Sequence, residues 1–173
     1  NGIIFIVDAA QSAGVLDIDA GRDNIDILCT PGHKGLYAPM GSGFIAVGDG
    51  ITLDTIIEGG TGSMSMILSQ PKDLPDRLES GTLNNVAICG LAAGIDFVNN
   101  KKIDNIYNHE KSLMNMVYKE MSKNENVTLY TPDFKDAFSA PILSFNFKDY
   151  PSEKTASLLA QKNIATRAGF HCS

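Results

Sequence analysis

The chain has 173 residues, room for one sizeable domain or two small ones, and its 43% hydrophobic and 20% charged residues are a globular balance. A formal net charge of -6 argues against nucleic acid as a partner, and no apolar run is long enough to span a membrane. Three scattered cysteines, Cys29, Cys89 and Cys172, make neither a disulfide framework nor a metal site, and no secretory signal is visible, so a reduced, cytoplasmic setting is expected.

The chain opens without an initiating Met, almost directly on Ile3 to Val7, and this reads as a fragment of a longer protein. Those five residues are apolar at every position, which predicts a strand buried on both faces of a parallel sheet. Ile25 to Cys29 reads similarly, with Asp26 as its one polar interruption. Between them, Ser12 to Asn24 holds Gly14, Gly21 and several acidic residues, which predicts a helical turn plus loop, not a crossover helix.

Polar residues follow each run: Asp8 and Gln11 after the first, Thr30, His33 and Lys34 after the second. In open α/β sheets ligands sit outside the carboxyl ends of the strands, so a carboxylate, an amide, an imidazole and an amine would share one crevice. That set suits pyridoxal phosphate (PLP). A lysine amine, here Lys34, can form a Schiff base with the cofactor aldehyde and later move the substrate α-proton. A carboxylate, here Asp8, keeps the pyridine nitrogen protonated, so that the ring works as an electron sink. Gln11 could donate to the ring hydroxyl and His33 could face the phosphate. The bland alternatives are a strand-end cap for Asp8 and a solvated loop pair for His33 and Lys34.

After Lys34 a Gly-rich stretch lets the chain turn sharply, and Gly43 to Val47 reads as another buried strand. Nothing matches the G-x-x-x-x-G-K-[ST] phosphate loop, so a nucleotide-binding reading is rejected. Leu53 to Glu58 leads into Gly59 to Ser63, where backbone N–H groups could form an anion nest, with a plain turn as the favoured alternative. The polar, Pro-broken stretch to Asn85 reads as surface loop, with Thr82, Asn84 and Asn85 as cap residues for a helix beginning near Val86.

Asn105 to Ser122 is an amphipathic helix by its apolar spacing, with its Met residues expected in the core. Val127 to Tyr130 and Pro141 to Phe147 read as strands, the second burying Leu143, Phe145 and Phe147 on one face. A helix from Pro151 to Lys162 and a last strand from Ile164 to Arg167 complete a small α+β unit. At the end, Arg167 and His171 lie close in sequence to Cys172 and would favour its thiolate, whose unperturbed pKa is about 8.5. An incidental terminal Cys is the alternative. Cys29 and Cys89 are expected in the core.

Taken in order, V-D-x-A-Q (Val7 to Gln11) and G-H-K (Gly32 to Lys34) resemble the fold-type I, class V aminotransferase family, and within it the cysteine desulfurases and selenocysteine lyases. The likeness continues through EGGTGS (58–63), LESGTLN (78–84) and RAGFHC (167–172). It implies residues 1–98 as the C-terminal part of a PLP-binding large domain, mainly a parallel sheet with helices. Residues 99–173 would then be an incomplete small α+β domain. It further implies a homodimer with a shared cofactor site, in which Thr82 of the E-x-G-T loop touches the partner subunit's cofactor phosphate.

The resemblance also implies that Cys172 attacks the sulfur of a cofactor-bound cysteine and becomes a persulfide, converting L-cysteine to L-alanine for a sulfur-acceptor protein. Arg167 is a candidate for binding the substrate. Where many desulfurases have a phosphate-binding Ser, this chain has Pro31, and Thr30 beside it stands in as the hydroxyl. The family's N-terminal half and its C-terminal substrate-binding Arg lie outside this sequence. Besides the desulfurase, an aminotransferase that needs Lys34 and Asp8 but not Cys172, and a non-catalytic fragment, are the alternatives.

Overall fold

A computed structural model describes residues 2–64, 66–134 and 139–170. The chain divides into two compact units, Asn1–Ile103 and Asp104–Ser173. In the first, strands β1 (Ile6–Asp8), β2 (Ile27–Pro31) and β3 (Gly43–Val47) form one sheet in that order. β1 and β2 run parallel, with Asp8 beside Cys29, while β3 returns antiparallel to β2. The segment between β1 and β2 is a run of turns, as expected. Its first turn is closed by the Ala13 N–H on Ala9 O and the Leu16 N–H on Ser12 O.

Two burial expectations fail for one physical reason. β1 lies at the sheet edge and pairs on one side only among the described residues, so Ile3 is 80% and Ile6 59% exposed. β3 is the opposite edge and is exposed at four of its five positions, half-buried only at Val47. An edge strand is covered on fewer sides than a central one, and only β2 carries buried positions, at Ile27 and Thr30. The polar interruption Asp26 has a use: its carboxylate accepts the Phe5 N–H at 2.7 Å and so ties the approach to β1 onto β2.

Helix α1 (Asn85–Lys101) starts where Asn84 Oδ1 accepts the Ala87 N–H at 3.1 Å. Asn84 is thus the cap among the three candidates, satisfying one of the orphan donors of the first turn. Its buried stripe is Ala87, Leu91, Gly94 and Val98. Cys89, two residues from Ala87, falls about 200° around the helix, and it is exposed and not in the core. Cys29 is half-buried on β2.

The second unit holds α2 (Ile103–Met121), strands β4 (Val127–Leu129) and β5 (Phe145–Phe147) paired antiparallel, and α3 (Ser152–Ala160). Leu143, Phe145 and Phe147 are half-buried and Ile142, Ser144 and Asn146 exposed, the alternation expected, although only the last three residues of the expected strand enter the ladder. α2 packs more shallowly than its spacing suggests: Ile106 is its one buried residue, Met114 and Met121 are half-buried, and Met116 is 62% exposed. The expected strand from Ile164 to Arg167 is absent. The Ile164 N–H is already spent on Leu159 O, closing the C-terminus of α3 behind Asn163 at φ 60°, and the four residues run exposed without a ladder partner among the described residues.

Candidate functional site

Asp8 is the last residue of β1, at the carboxyl end of the parallel pair. Its Oδ1 accepts the Ala10 N–H at 2.9 Å, and the Ala9 N–H bonds Cys29 O at 2.8 Å, so the chain stays pinned to β2 as it leaves the strand. The side chain lines a cleft of about 590 Å³ with Thr30, Cys29 and Phe44 from the sheet, and with Leu74, Leu78 and Glu79 from the long loop. Thr30 is 6% exposed, and its hydroxyl lies 3.4 Å from Ala9 O and 3.2 Å from Pro31 O, two carbonyls that share its one proton.

Lys34 sits half-buried in the turn that follows β2, with His33 exposed beside it. That turn is closed internally by the Tyr37 N–H on Lys34 O and the Ala38 N–H on Gly32 O, both 2.9 Å. Close backbone approaches hold it from two sides. Gly35 lies against the Ala13–Gly14 turn, and Gly94 of α1 lies against Leu36 O, with no room for a Cβ at either contact. The edge of the Tyr37 ring meets Phe97 of α1 at 5.0 Å between centroids. A helix face thus fixes the lysine turn, and a glycine contact joins it to the turn carrying Gln11.

The structure therefore brings Asp8 and Thr30 into one cleft, while Gln11, His33, Lys34 and Thr82 are not part of its lining. Gln11 and Thr82 are exposed. In and beside the Gly59–Ser63 loop, the Gly59 N–H bonds Gln70 Oε1, the Ser63 N–H Thr61 O and the Met64 N–H Thr61 Oγ1. Cys172 and His171 lie outside the described residues; Arg167 is described and exposed. Sequence reading missed Gln70, a buried amide inside a stretch that looks like polar surface loop.

The residue types pyridoxal phosphate calls for are present, a carboxylate facing a cleft at the end of a parallel strand and an amine on the turn leaving the next strand, but the amine does not line that cleft. A family model described as "Aminotransferase class-V" matches residues 1–173. The chain belongs to that family. It is 32% identical to a probable cysteine desulfurase of Pyrococcus abyssi over 99% of this chain and 43% of that protein. It is 33% identical to a cysteine desulfurase of Enterobacter sp. over 99% of this chain and 42% of that protein. The chain thus spans well under half the length of the curated relatives it matches. Among solved structures, the apo cysteine desulfurase of Thermococcus onnurineus superposes with a TM-score of 0.79 at 31% identity, covering 99% of this chain and 43% of that one. The α/β architecture is that of PLP fold-type I, as the motifs imply.

Proposed function

We propose that this chain is the cofactor- and sulfur-handling part of a PLP-dependent cysteine desulfurase, converting L-cysteine to L-alanine with the sulfur carried on Cys172. The observation that carries the reading is the parallel pairing of β1 and β2, which ends one strand in Asp8 and leads the other into the Lys34 turn. The membership of the class V family and the names of the relatives support it. Bound here, pyridoxal phosphate would supply the electron sink that loosens bonds at the substrate α-carbon.

Lys34 Nζ is the group that would hold the cofactor covalently and would then serve as the base for the substrate α-proton. Asp8 would keep a proton on the pyridine nitrogen, Gln11 and His33 would serve the ring hydroxyl and the phosphate, and Thr30 would reach the phosphate by turning its proton away from the Ala9 and Pro31 carbonyls. Thr82 reaches the phosphate of a partner subunit in a homodimer, and Arg167 meets the substrate. The Cys172 thiolate takes the sulfur and passes it to an acceptor protein. In this reading the first unit belongs to the PLP-binding large domain and the second to the small domain. Among the described residues no helix is long and apolar enough to cross a membrane.

Incubation with pyridoxal phosphate, borohydride reduction and peptide mapping test the assignment. The expected result is a label on Lys34. A label on another lysine, or none, overturns it.

A further inference from the structure

A second, smaller cavity lies against Val47, the last residue of β3. It holds about 130 Å³, and its polar lining is Thr52, Lys72 and Arg77, two cations and a hydroxyl with no carboxylate among the described residues. The remaining walls are apolar: Val47, Ile51, Leu53, Leu74 and Leu78. Val47 pairs with Ile27 and Ile27 with Ile6, so this end of β3 lies beside the amino ends of the parallel strands, whereas Asp8 closes their carboxyl end.

Arg77 is fixed from two sides. Its backbone N–H bonds Asp73 O at 2.8 Å, and its Nε donates to Leu53 O at 2.7 Å, which leaves the two Nη nitrogens to face outward from that anchor. Its charge is poorly matched within the chain. The side chain is 23% exposed, while its carboxylate partner Asp54 is fully exposed and 3.4 Å from Nη2, longer than the usual 2.7–2.9 Å or so of a charge-assisted bond. Such a contact to a solvated carboxylate contributes little. The side chains of Thr52 and Lys72 are exposed and have no hydrogen-bond or ion-pair partner among the described residues.

We infer that this cavity is a binding site for a short-chain monocarboxylate the size of butyrate. An apolar cavity of about 150 Å³ takes benzene, so the space here suits a ligand of about six heavy atoms. Two cations select an anion, and the planar fork of a preorganised guanidinium matches the two oxygens of a carboxylate. The apolar walls favour an alkyl tail over an anion that is polar all round, such as phosphate. An α-amino acid is disfavoured, because its ammonium would meet Lys72 and Arg77. The inference is independent of the cofactor reading, which concerns the other end of the parallel strands.

The test titrates the full, isotope-labelled chain with butyrate and follows its backbone amides by NMR, with inorganic phosphate, L-alanine and butylamine as comparison ligands. Expected is a saturable shift of amides in residues 51–54 and 72–78, with a Kd on the order of 1 mM for butyrate. Phosphate and L-alanine should bind there about tenfold more weakly, and butylamine not at all. Lys72→Met should raise the butyrate Kd about threefold, and Arg77→Lys about tenfold, since a lysine cannot make the bidentate pair. No saturable shift in those residues, butylamine binding, or phosphate or L-alanine binding as tightly as butyrate overturns the inference. A parent-like butyrate Kd in Lys72→Met also overturns it. That substitution removes no side-chain bond among the described residues, so it decides the question even where Arg77→Lys, which gives up the Leu53 bond, fails to fold.

Discussion

Gly14 and Gly35 meet with no space for a side chain between them: a Cβ on Gly14 would strike Gly35 O, and one on Gly35 would strike Ala13 O. The contact joins the turn after Asp8 to the turn carrying Lys34. Gly14 also has φ +81°, a conformation L side chains rarely adopt. Gly35→Ala should destabilise the chain by about 1–3 kcal/mol through overpacking. Urea unfolding measures it, and a midpoint equal to the parent's would show that the backbones part freely. A folded Gly35→Ala protein should also take less borohydride label at Lys34.

Asp8 combines a structural bond with the proposed cofactor role, and two substitutions separate them. Asp8→Asn keeps an oxygen for the Ala10 N–H but offers no charge to the pyridine nitrogen. It should leave the urea midpoint unchanged and weaken pyridoxal phosphate binding roughly tenfold or more, the value of a charge-assisted hydrogen bond. Asp8→Ala should add a stability loss of about 1 kcal/mol. Parent-like cofactor affinity in Asp8→Asn would exclude the pairing.

Asn84→Ala should cost about 1 kcal/mol by uncapping α1. The buried face of α1 carries Gly94, which fixes the lysine turn, so the loss should reach that turn as faster hydrogen exchange at the Tyr37 and Ala38 amides. Exchange confined to the first turn of α1 would show that the helix end and the lysine turn are independent.

What the sequence made legible follows from how local each signal is. Strand type, the α1 cap region and the alternation at Leu143, Phe145 and Phe147 are set by neighbours a few residues apart, and they hold. Burial of Ile3 to Val7 depends on which strands lie on either side, and an apolar run carries no record of being at an edge. Ile164 to Arg167 has strand-forming residues, yet the closing bond at Ile164 commits its start to the end of α3. At the candidate site, Asp8 and Lys34 stood out through the V-D-x-A-Q and G-H-K motifs, yet of the two only Asp8 lines the cleft. Gln70 did not stand out, because its three hydrogen-bond partners, at Gly59, Asp76 and Glu79, lie six to eleven residues away on irregular backbone.

The turn between β1 and β2 carries an exposed charge cluster. Arg22 bonds Asp17 at 2.7 Å and Asp23 at 2.9 Å. The hydrogen bond from Arg22, then that from the Asp19 N–H, hold the Asp23 carboxyl at about 2, below its usual 3.8. A folded pKa below the unfolded one means the contribution is complete above about pH 4 and is lost as pH falls through about 2. Asp23→Asn should therefore flatten the stability profile between pH 4 and pH 2 while changing little of its shape above pH 5. Salt should shrink the difference, since the groups face solvent. An unchanged acid limb would show that Asp23 contributes nothing to it.

Cys172 separates a desulfurase from an aminotransferase, because an aminotransferase does not require a thiol there. The thiolate would attack the substrate sulfur; the carbon–sulfur bond breaks with its electron pair staying on the β-carbon, which takes up a proton as alanine forms, and the sulfur ends as a persulfide on Cys172 that a reductant releases as sulfide. Cys172→Ser removes the nucleophile but none of the groups at Asp8 or Lys34. Borohydride labelling of Lys34 with pyridoxal phosphate should therefore stay at the parent level. Sulfide release from L-cysteine should become undetectable, because a serine hydroxyl is a far poorer nucleophile toward sulfur than a thiolate. Cys29, half-buried in the cleft beside Asp8, is the natural competitor, and exposed Cys89 is a second. Alkylation mass spectrometry after turnover distinguishes the three thiols. A persulfide on Cys29 or Cys89, or sulfide release by the Ser variant at the parent rate, would remove Cys172 from the mechanism.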